Sequence, residues 1–253
     1  MEIIVIANQK GGIGKTTTAT ALATILQRKG YHSLLIDADM QGNSTDTYRA
    51  VIEGQATLYD VLLENDRTPI QEAIQQTEVG HIIAADSLLR KADEVLNGDV
   101  NGLFRLQDAL ADLKGYDYVV IDTAPAMNSL LYNCLIAADK VIVPVTADRY
   151  GLQGLAQLNQ TIQAIKKRQN PRLTIRGLLL VKYNGRANLS KEVRESLDSI
   201  AAQMETKVLG ITIRESIRAK EAQALRQALI DYAPESTTAN DYAAFVEELL
   251  KGV

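Results

Sequence analysis

Residues 7–18, Ala7-Asn8-Gln9-Lys10-Gly11-Gly12-Ile13-Gly14-Lys15-Thr16-Thr17-Thr18, are the stretch of this chain best suited to chemistry. Three glycines and two lysines follow a short apolar run at residues 3–6 and lead into a helix-like segment at residues 17–29. Strand, glycine-rich turn and helix, in that order, are the context in which backbone N–H groups cradle phosphate. Glycine lets the backbone approach an anion without a Cβ clash. The N-terminus of the following helix adds its positive end to the same point. Lys15 is placed to reach β- and γ-phosphates, and the Thr16 hydroxyl to ligate Mg²⁺.

The usual first glycine of such a loop, five residues before Gly14, is replaced by Gln9, and Lys10 adds a second cation at the loop's start. A phosphate loop also needs acidic partners. Asp122 ends the apolar run Tyr118-Val119-Val120-Ile121, where it can support a metal ion. Asp37 and Asp39 end a second run, Leu34-Leu35-Ile36. The carboxyl ends of buried strands are where open α/β sheets bind ligands. Asp37 and Asp39 are expected on opposite faces and hence in separate roles, one supporting the metal and the other orienting an attacking water.

Composition sets the bounds. A chain of 253 residues that is 46% hydrophobic can bury a full core. The net charge of −4 excludes a uniformly basic nucleic-acid binder, but the charge is uneven. Residues 166–226 hold 14 Lys and Arg against 6 Asp and Glu, a local +8, leaving −12 elsewhere, which suggests a polyanion-facing surface late in the chain. The lone Cys134 excludes an internal disulfide or a one-subunit cysteine cluster, and His32 and His81 lack ligand-like spacing. No run of 18 apolar residues occurs, and the first strand is expected from residue 2, so a cytoplasmic location is expected.

The elements that must position these residues alternate. Strands are expected at residues 2–7, 33–37, 80–84, 116–122, 140–145, 176–182 and 207–213. Helices are expected at 17–29, 58–64, 70–76, 87–96, 103–113, 128–138, 152–169, 189–204, 215–230 and 239–251, with residues 40–45 as a polar loop. Such alternation predicts an α/β fold: a single domain over residues 1–253 built on a mostly parallel sheet with helices on both faces.

The motifs resemble those of the ParA/MinD ATPases. Lys10-Gly11-Gly12-Ile13-Gly14-Lys15-Thr16-Thr17 is similar to their deviant Walker A loop, the signature of this type of P-loop NTPase. Residues Leu35-Ile36-Asp37-Ala38-Asp39-Met40-Gln41-Gly42-Asn43 resemble their second motif, and Val120-Ile121-Asp122-Thr123-Ala124-Pro125 their Walker B. Within that superfamily, Gln41-Gly42-Asn43, Tyr183-Asn184-Gly185-Arg186-Ala187-Asn188-Leu189 and Ile213-Arg214-Glu215-Ser216-Ile217-Arg218 look like ParA. Residues Asp231-Tyr232-Ala233-Pro234-Glu235-Ser236 do so too, so the likeness spans nearly the whole chain.

This resemblance implies a DNA-partition ATPase that uses ATP and Mg²⁺. Such proteins form an ATP-sandwich homodimer and bind double-stranded DNA without sequence preference. A ParB-like centromere-binding partner stimulates hydrolysis and release, and turnover without it is weak. The implied location is cytoplasmic and nucleoid-associated, for a plasmid, mobile-element or chromosomal cargo.

The resemblance also assigns residues. Lys10 would cross to the partner's ATP, Lys15 would hold phosphate in its own subunit, and Asp39 would orient the water. Lys10 to Thr17 would bind nucleotide, with Thr16, Asp37 and Asp122 at the metal. Arg186 and Arg218 would contact DNA, with Arg214, Lys191 and Arg194 widening the patch. Contacts of that kind give salt-sensitive, sequence-blind affinity. Many ParA proteins carry proline before the arginine at 214, where this chain has Ile213, and no N-terminal helix-turn-helix extension is expected.

The other readings have weaker support. A MinD-like membrane helix at the C-terminus would carry Phe245, Val246, Leu249 and Leu250, but its flank of Asp241, Glu247 and Glu248 is acidic, which disfavours an anionic membrane. A cluster-bearing redox relative needs two cysteines per subunit. A metabolic ligase would need a small-molecule pocket for which no residues stand out, and a tyrosine-kinase relative would need a tyrosine-rich tail.

Overall fold

The strand β1 (Glu2–Ile6) lies inside a seven-stranded sheet, because its residues are apolar on both faces and four of the five are buried. The computed structural model describes residues 1–63, 67–147, 154–183 and 191–252, with residues 191–194 described by their backbone alone. In chain order β1 is followed by α1 (Lys15–Arg28), β2 (Ser33–Ala38), α2 (Asn43–Tyr48), α3 (Leu58–Leu62), β3 (Ile74–Gln76), β4 (His81–Ile83), α4 (Ala92–Asn97) and α5 (Arg105–Ala111). Then come β5 (Tyr118–Thr123), α6 (Ser129–Ala137), β6 (Lys140–Thr146), α7 (Leu155–Arg168), β7 (Thr174–Val181), α8 (Lys191–Gln203), α9 (Ile217–Ala224), α10 (Leu229–Tyr232) and α11 (Thr237–Lys251).

The sheet order is β3-β4-β2-β5-β1-β6-β7, and among the described residues only the β3–β4 pairing is antiparallel. Alternation along each strand feeds two cores. Val5, Leu34, Ile36, Val119 and Ile121 pack with α3 to α7, whereas Ile4, Ile6, Leu35 and Val120 pack under α1 and α11. The expected mostly parallel α/β sheet with helices on both faces is therefore the observed fold.

Three local expectations are corrected. The segment 70–76 is a 3-10 turn, Ile70–Ala73, followed by the edge strand β3. The Gln75 side chain there exchanges two hydrogen bonds with the Val51 backbone, which holds the segment extended. Residues 40–45 are only half loop, because α2 begins at Asn43. Residues 207–213 follow β7 through two isolated bridges, Leu178 with Val208 and Tyr183 with Arg214, without forming a strand. Glu248 takes the N–H groups of Gly210 and Ile211, so those donors cannot serve a ladder.

The C-terminal helix is part of the core. Tyr242, Phe245, Val246 and Leu249 of α11 are buried against α1 and the sheet. The Tyr242 and Thr18 hydroxyls are 3.0 Å apart. At the far end the Arg176 guanidinium donates to the carbonyls of Glu248 and Leu249, capping the negative end of α11. The apolar face that a membrane helix would need is thus spent inside the domain.

Candidate nucleotide site

The glycine-rich loop joins β1 to α1 at the carboxyl edge of the sheet. Asn8 anchors its start by donating to the Pro144 carbonyl at 2.7 Å, and Ile13 is buried beneath it. Gly12 and Gly14 have φ of 68° and 96°, left-handed values that disfavour any residue with a Cβ. Gly14 caps α1 with no side-chain hydrogen bond, so the first N–H groups of the helix carry no side-chain cap.

A cavity of about 310 Å³ opens over this loop. Gly11 to Thr17 form its floor, with Asp39, Gln41, Asn43 and Pro125 on one side. The opposite wall is built from Val181, Lys182 and residues 213–216, closed by Ala219, Lys220 and Gln223 of α9 and by Thr238 and Tyr242 of α11. The structure thus brings the loop, the second motif and the tail of the third together. Ile213 is buried and donates its N–H to Leu180 at 2.8 Å, a bond that proline could not supply.

Lys15 is buried and folds back over the loop, donating to the Lys10 carbonyl at 3.0 Å. Burial lowers its pKa, while the charges of Asp122 and Asp39 oppose that shift. Lys10 behaves differently. Its Nζ donates to the Thr146 hydroxyl at 3.3 Å, and the residue does not line the cavity that its own loop floors.

Asp37 and Asp122 are register partners on β2 and β5, and both are fully buried. Burial, then the charge of Asp122, pushes the Asp37 carboxyl up to about 7. Asp122 is pushed up to about 6, again first by burial, with the Ser44 and Thr16 hydroxyls opposing. Ser44 donates to Asp122 Oδ2 at 2.8 Å. Asp122 Oδ1 has no hydrogen-bond partner.

Asp37 stands behind the site. Oδ2 accepts from the N–H and the hydroxyl of Thr45, both at 2.8 Å, and Oδ1 accepts from the Asp39 N–H. Neither Asp37 nor Asp122 lines the cavity. The separation of Asp37 from Asp39 has a different cause from the one expected. Residues two apart on a strand share a face. What turns Asp39 into the cavity is the end of β2 at Ala38 and the turn that Asp37 accepts from Asp39. Asp39, 8% exposed, takes the Gln41 N–H at 3.0 Å.

Among the described residues no group of three or more His, Cys, Asp or Glu side chains could hold a metal by itself. Thr16 as a ligand, with the orphaned buried oxygen of Asp122 able to accept from a metal-bound water, fits a Mg²⁺ that arrives with phosphate.

The basic surface is only partly described. Arg186 lies outside the described residues, and Lys191 and Arg194 fall where only the backbone of α8 is described. Arg214 is held by Asp241 through a fork at 2.9 and 2.6 Å and lines the cavity wall. Arg218 stands on α9, exposed and paired with Glu221 at 2.9 Å. Sequence reasoning passed over Ser44, Thr45 and Lys182. The serine and threonine directly after Gly42-Asn43, at the start of a helix, were the available signal for the first two.

Residues 1–175 match a family model described as an AAA domain. The chain is 37% identical over 98% of its length to a chromosome partitioning protein ParA of Myxococcus xanthus, covering 88% of that protein. It is 35% identical over 99% of its length to a chromosome-partitioning ATPase Soj of Thermus thermophilus, covering 96% of it. This chain belongs to the ParA family. ParA-family membership makes it a P-loop ATPase of the partition type and accounts for the deviant loop. A solved cobyrinic acid a,c-diamide synthase of Mycobacterium smegmatis with bound ADP and magnesium is also similar, at 30% identity and a TM-score of 0.84, over 99% of this chain and 94% of that one. The ParA-type nucleotide fold is therefore shared with a synthase.

Proposed function

We propose that this chain is a DNA-partition ATPase that works as an ATP-dependent sandwich dimer. With ATP bound it holds double-stranded DNA without sequence preference. Hydrolysis, weak until a ParB-like centromere-binding partner stimulates it, ends that state. The observation that carries this reading is the double use of α9. Its Ala219, Lys220 and Gln223 line the nucleotide cavity while Arg218 stands exposed on the same helix. A rigid helix shared by two sites is a physical means for nucleotide to bias DNA binding.

Lys15 and the N-terminus of α1 hold the phosphates of their own subunit. Lys10, turned away from its own cavity, serves the partner's nucleotide much as an arginine finger does. Asp39 orients the attacking water. Thr16 and, through a water, Asp122 would hold Mg²⁺, which when bound would supply charge neutralisation at the nucleotide's phosphates. Arg186 and Arg218 supply the main phosphate contacts to DNA, with Lys191 and Arg194 beside them. The protein then cycles between the cytoplasm and the nucleoid.

The deciding experiment measures DNA retention with ATP, ADP and no nucleotide at two salt concentrations. ATP-dependent, sequence-blind, salt-sensitive binding is expected. Equal retention in all three nucleotide states would overturn the reading. The membrane alternative predicts ATP-dependent sedimentation with liposomes that survives high salt. The packed face of α11 argues for no pelleting.

A further inference from the structure

Lys182 directly follows β7 and belongs to none of the three nucleotide motifs. Its Nζ donates to the Gly12 carbonyl at 2.5 Å, joining positions 170 residues apart. Its φ is 52°, in the left-handed region that a residue with a Cβ seldom adopts. The backbone on either side is tied down. Val181 pairs with Thr146, the Tyr183 N–H donates to Ile213 at 3.0 Å, and Tyr183 accepts from Glu215 at 2.9 Å. Between these anchors the unusual φ directs one long side chain back to the phosphate loop. Strain of this kind persists where its surroundings enforce it, and it collects at functional positions.

The residue lines the cavity on the wall opposite Lys15. Lys15 braces the loop from within, through the Lys10 carbonyl, whereas Lys182 reaches it from across the cavity. We propose that Lys182 is a nucleotide-positioning residue: its ammonium fastens the wall formed by β7 and residues 213–216 to the phosphate loop at Gly12, closing the cavity around the bound nucleotide. The proposal rests on reading this cavity as the nucleotide site.

Its energetic signature follows from exposure. Lys182 is exposed in the structure, so water competes for its ammonium and the bond adds little to folding. A nucleotide that fills the cavity displaces that water, and the same bond strengthens in the lower local dielectric. Its contribution therefore appears in nucleotide affinity. Because the ammonium holds a carbonyl, the contribution does not grow with the number of phosphates.

The test is calorimetric titration of ADP and of a non-hydrolysable ATP analogue, each with Mg²⁺, into the wild type, Lys182→Met and Lys182→Arg. Methionine keeps the length of the stem and removes the donor. Lys182→Met is expected to weaken both nucleotides by the same factor, about tenfold. Lys182→Arg, which retains donors at the tip, restores most of the affinity. The urea midpoint without nucleotide stays at the wild-type value in both variants. Unchanged affinity in Lys182→Met overturns the proposal. So does a loss confined to the ATP analogue, which would mark a γ-phosphate ligand, or a lowered urea midpoint, which would mark a structural strut. A wild type that binds neither nucleotide overturns the reading of the cavity itself, a result distinct from all of these.

Discussion

Asp37 and Asp122 stand in register on neighbouring strands, both fully buried, on the face of the sheet that α1 covers. Two carboxylates so placed resist ionising together, and the low dielectric around them adds to the resistance. The proton they keep is one that a divalent cation would displace.

Stability without nucleotide should fall as pH rises from about 4 to about 7. Both carboxyls have folded pKa values above the unfolded one, near 7 and 6, so the folded state binds the proton more tightly across that window. Their contribution is present at the acid end and lost on the way up. Asp122→Asn removes half of the pair and should flatten the trend, raising the urea midpoint at pH 8. A wild-type midpoint that climbs between pH 5 and pH 8 would contradict this account.

Thr45 is the hinge pin of α2. Its hydroxyl donates to Asp37 at 2.8 Å and accepts the Ala85 N–H at 2.8 Å. Thr45→Val keeps the shape, leaves a buried N–H without a partner and takes one donor from Asp37. The expected cost is about 2–3 kcal/mol, read from urea unfolding at pH 7. Thr45→Ser, which keeps the hydroxyl, should stay within about 1 kcal/mol of wild type. Equal losses in the two variants would mean that packing, rather than the hydroxyl, is what matters.

The three nucleotide motifs were legible because their chemistry is local: a loop's glycines, lysine and threonine are neighbours in sequence. The sheet was legible because apolar strand runs recur between helices. What escaped depends on distant partners. Residues 207–213 have the composition of a strand, yet Glu248 claims two of their N–H groups. Lys182 has no motif around it, and its meaning appears only with Gly12 beside it. The charge excess of residues 166–226 is partly balanced by pairing. Among the described residues Lys166, Arg214, Arg218, Lys220 and Arg226 each face an acidic partner.

Lys10→Ala should abolish the ATP-dependent dimer and leave nucleotide binding by the monomer largely intact. The side chain reaches Thr146 and takes no place in its own cavity. Light scattering with ATP and Mg²⁺ reads the mass, and a thermal melt checks the fold. A dimer of undiminished affinity would remove Lys10 from the interface.

Asp39→Ala should bind ATP, dimerise and stay on DNA while turnover falls by at least about 100-fold. The carboxylate lines the cavity beside the loop, where a water attacking the terminal phosphate would need orientation. Phosphate release under single-turnover conditions is the measurement, since it separates hydrolysis from nucleotide exchange. Hydrolysis at the wild-type rate would assign the water to another group.

Arg218 and Glu221 predict opposite effects from one contact. The carboxylate takes the guanidinium at 2.9 Å and is itself held by the Tyr232 hydroxyl at 3.1 Å. On the proposed reading, DNA competes with Glu221 for Arg218. Arg218→Ala should weaken ATP-dependent DNA binding and lower the slope of log affinity against log salt by about 1 for each subunit in contact. Glu221→Gln frees the arginine without removing it and should tighten binding several-fold at the same salt concentration. Joint loss of Arg186 and Arg218 should abolish binding while the ATP-dependent dimer still forms. Glu221→Gln is the sharper arm, because general damage to α9 can only weaken DNA binding. A Glu221→Gln protein that binds DNA less tightly than wild type would mean that Glu221 positions Arg218 for DNA instead of restraining it.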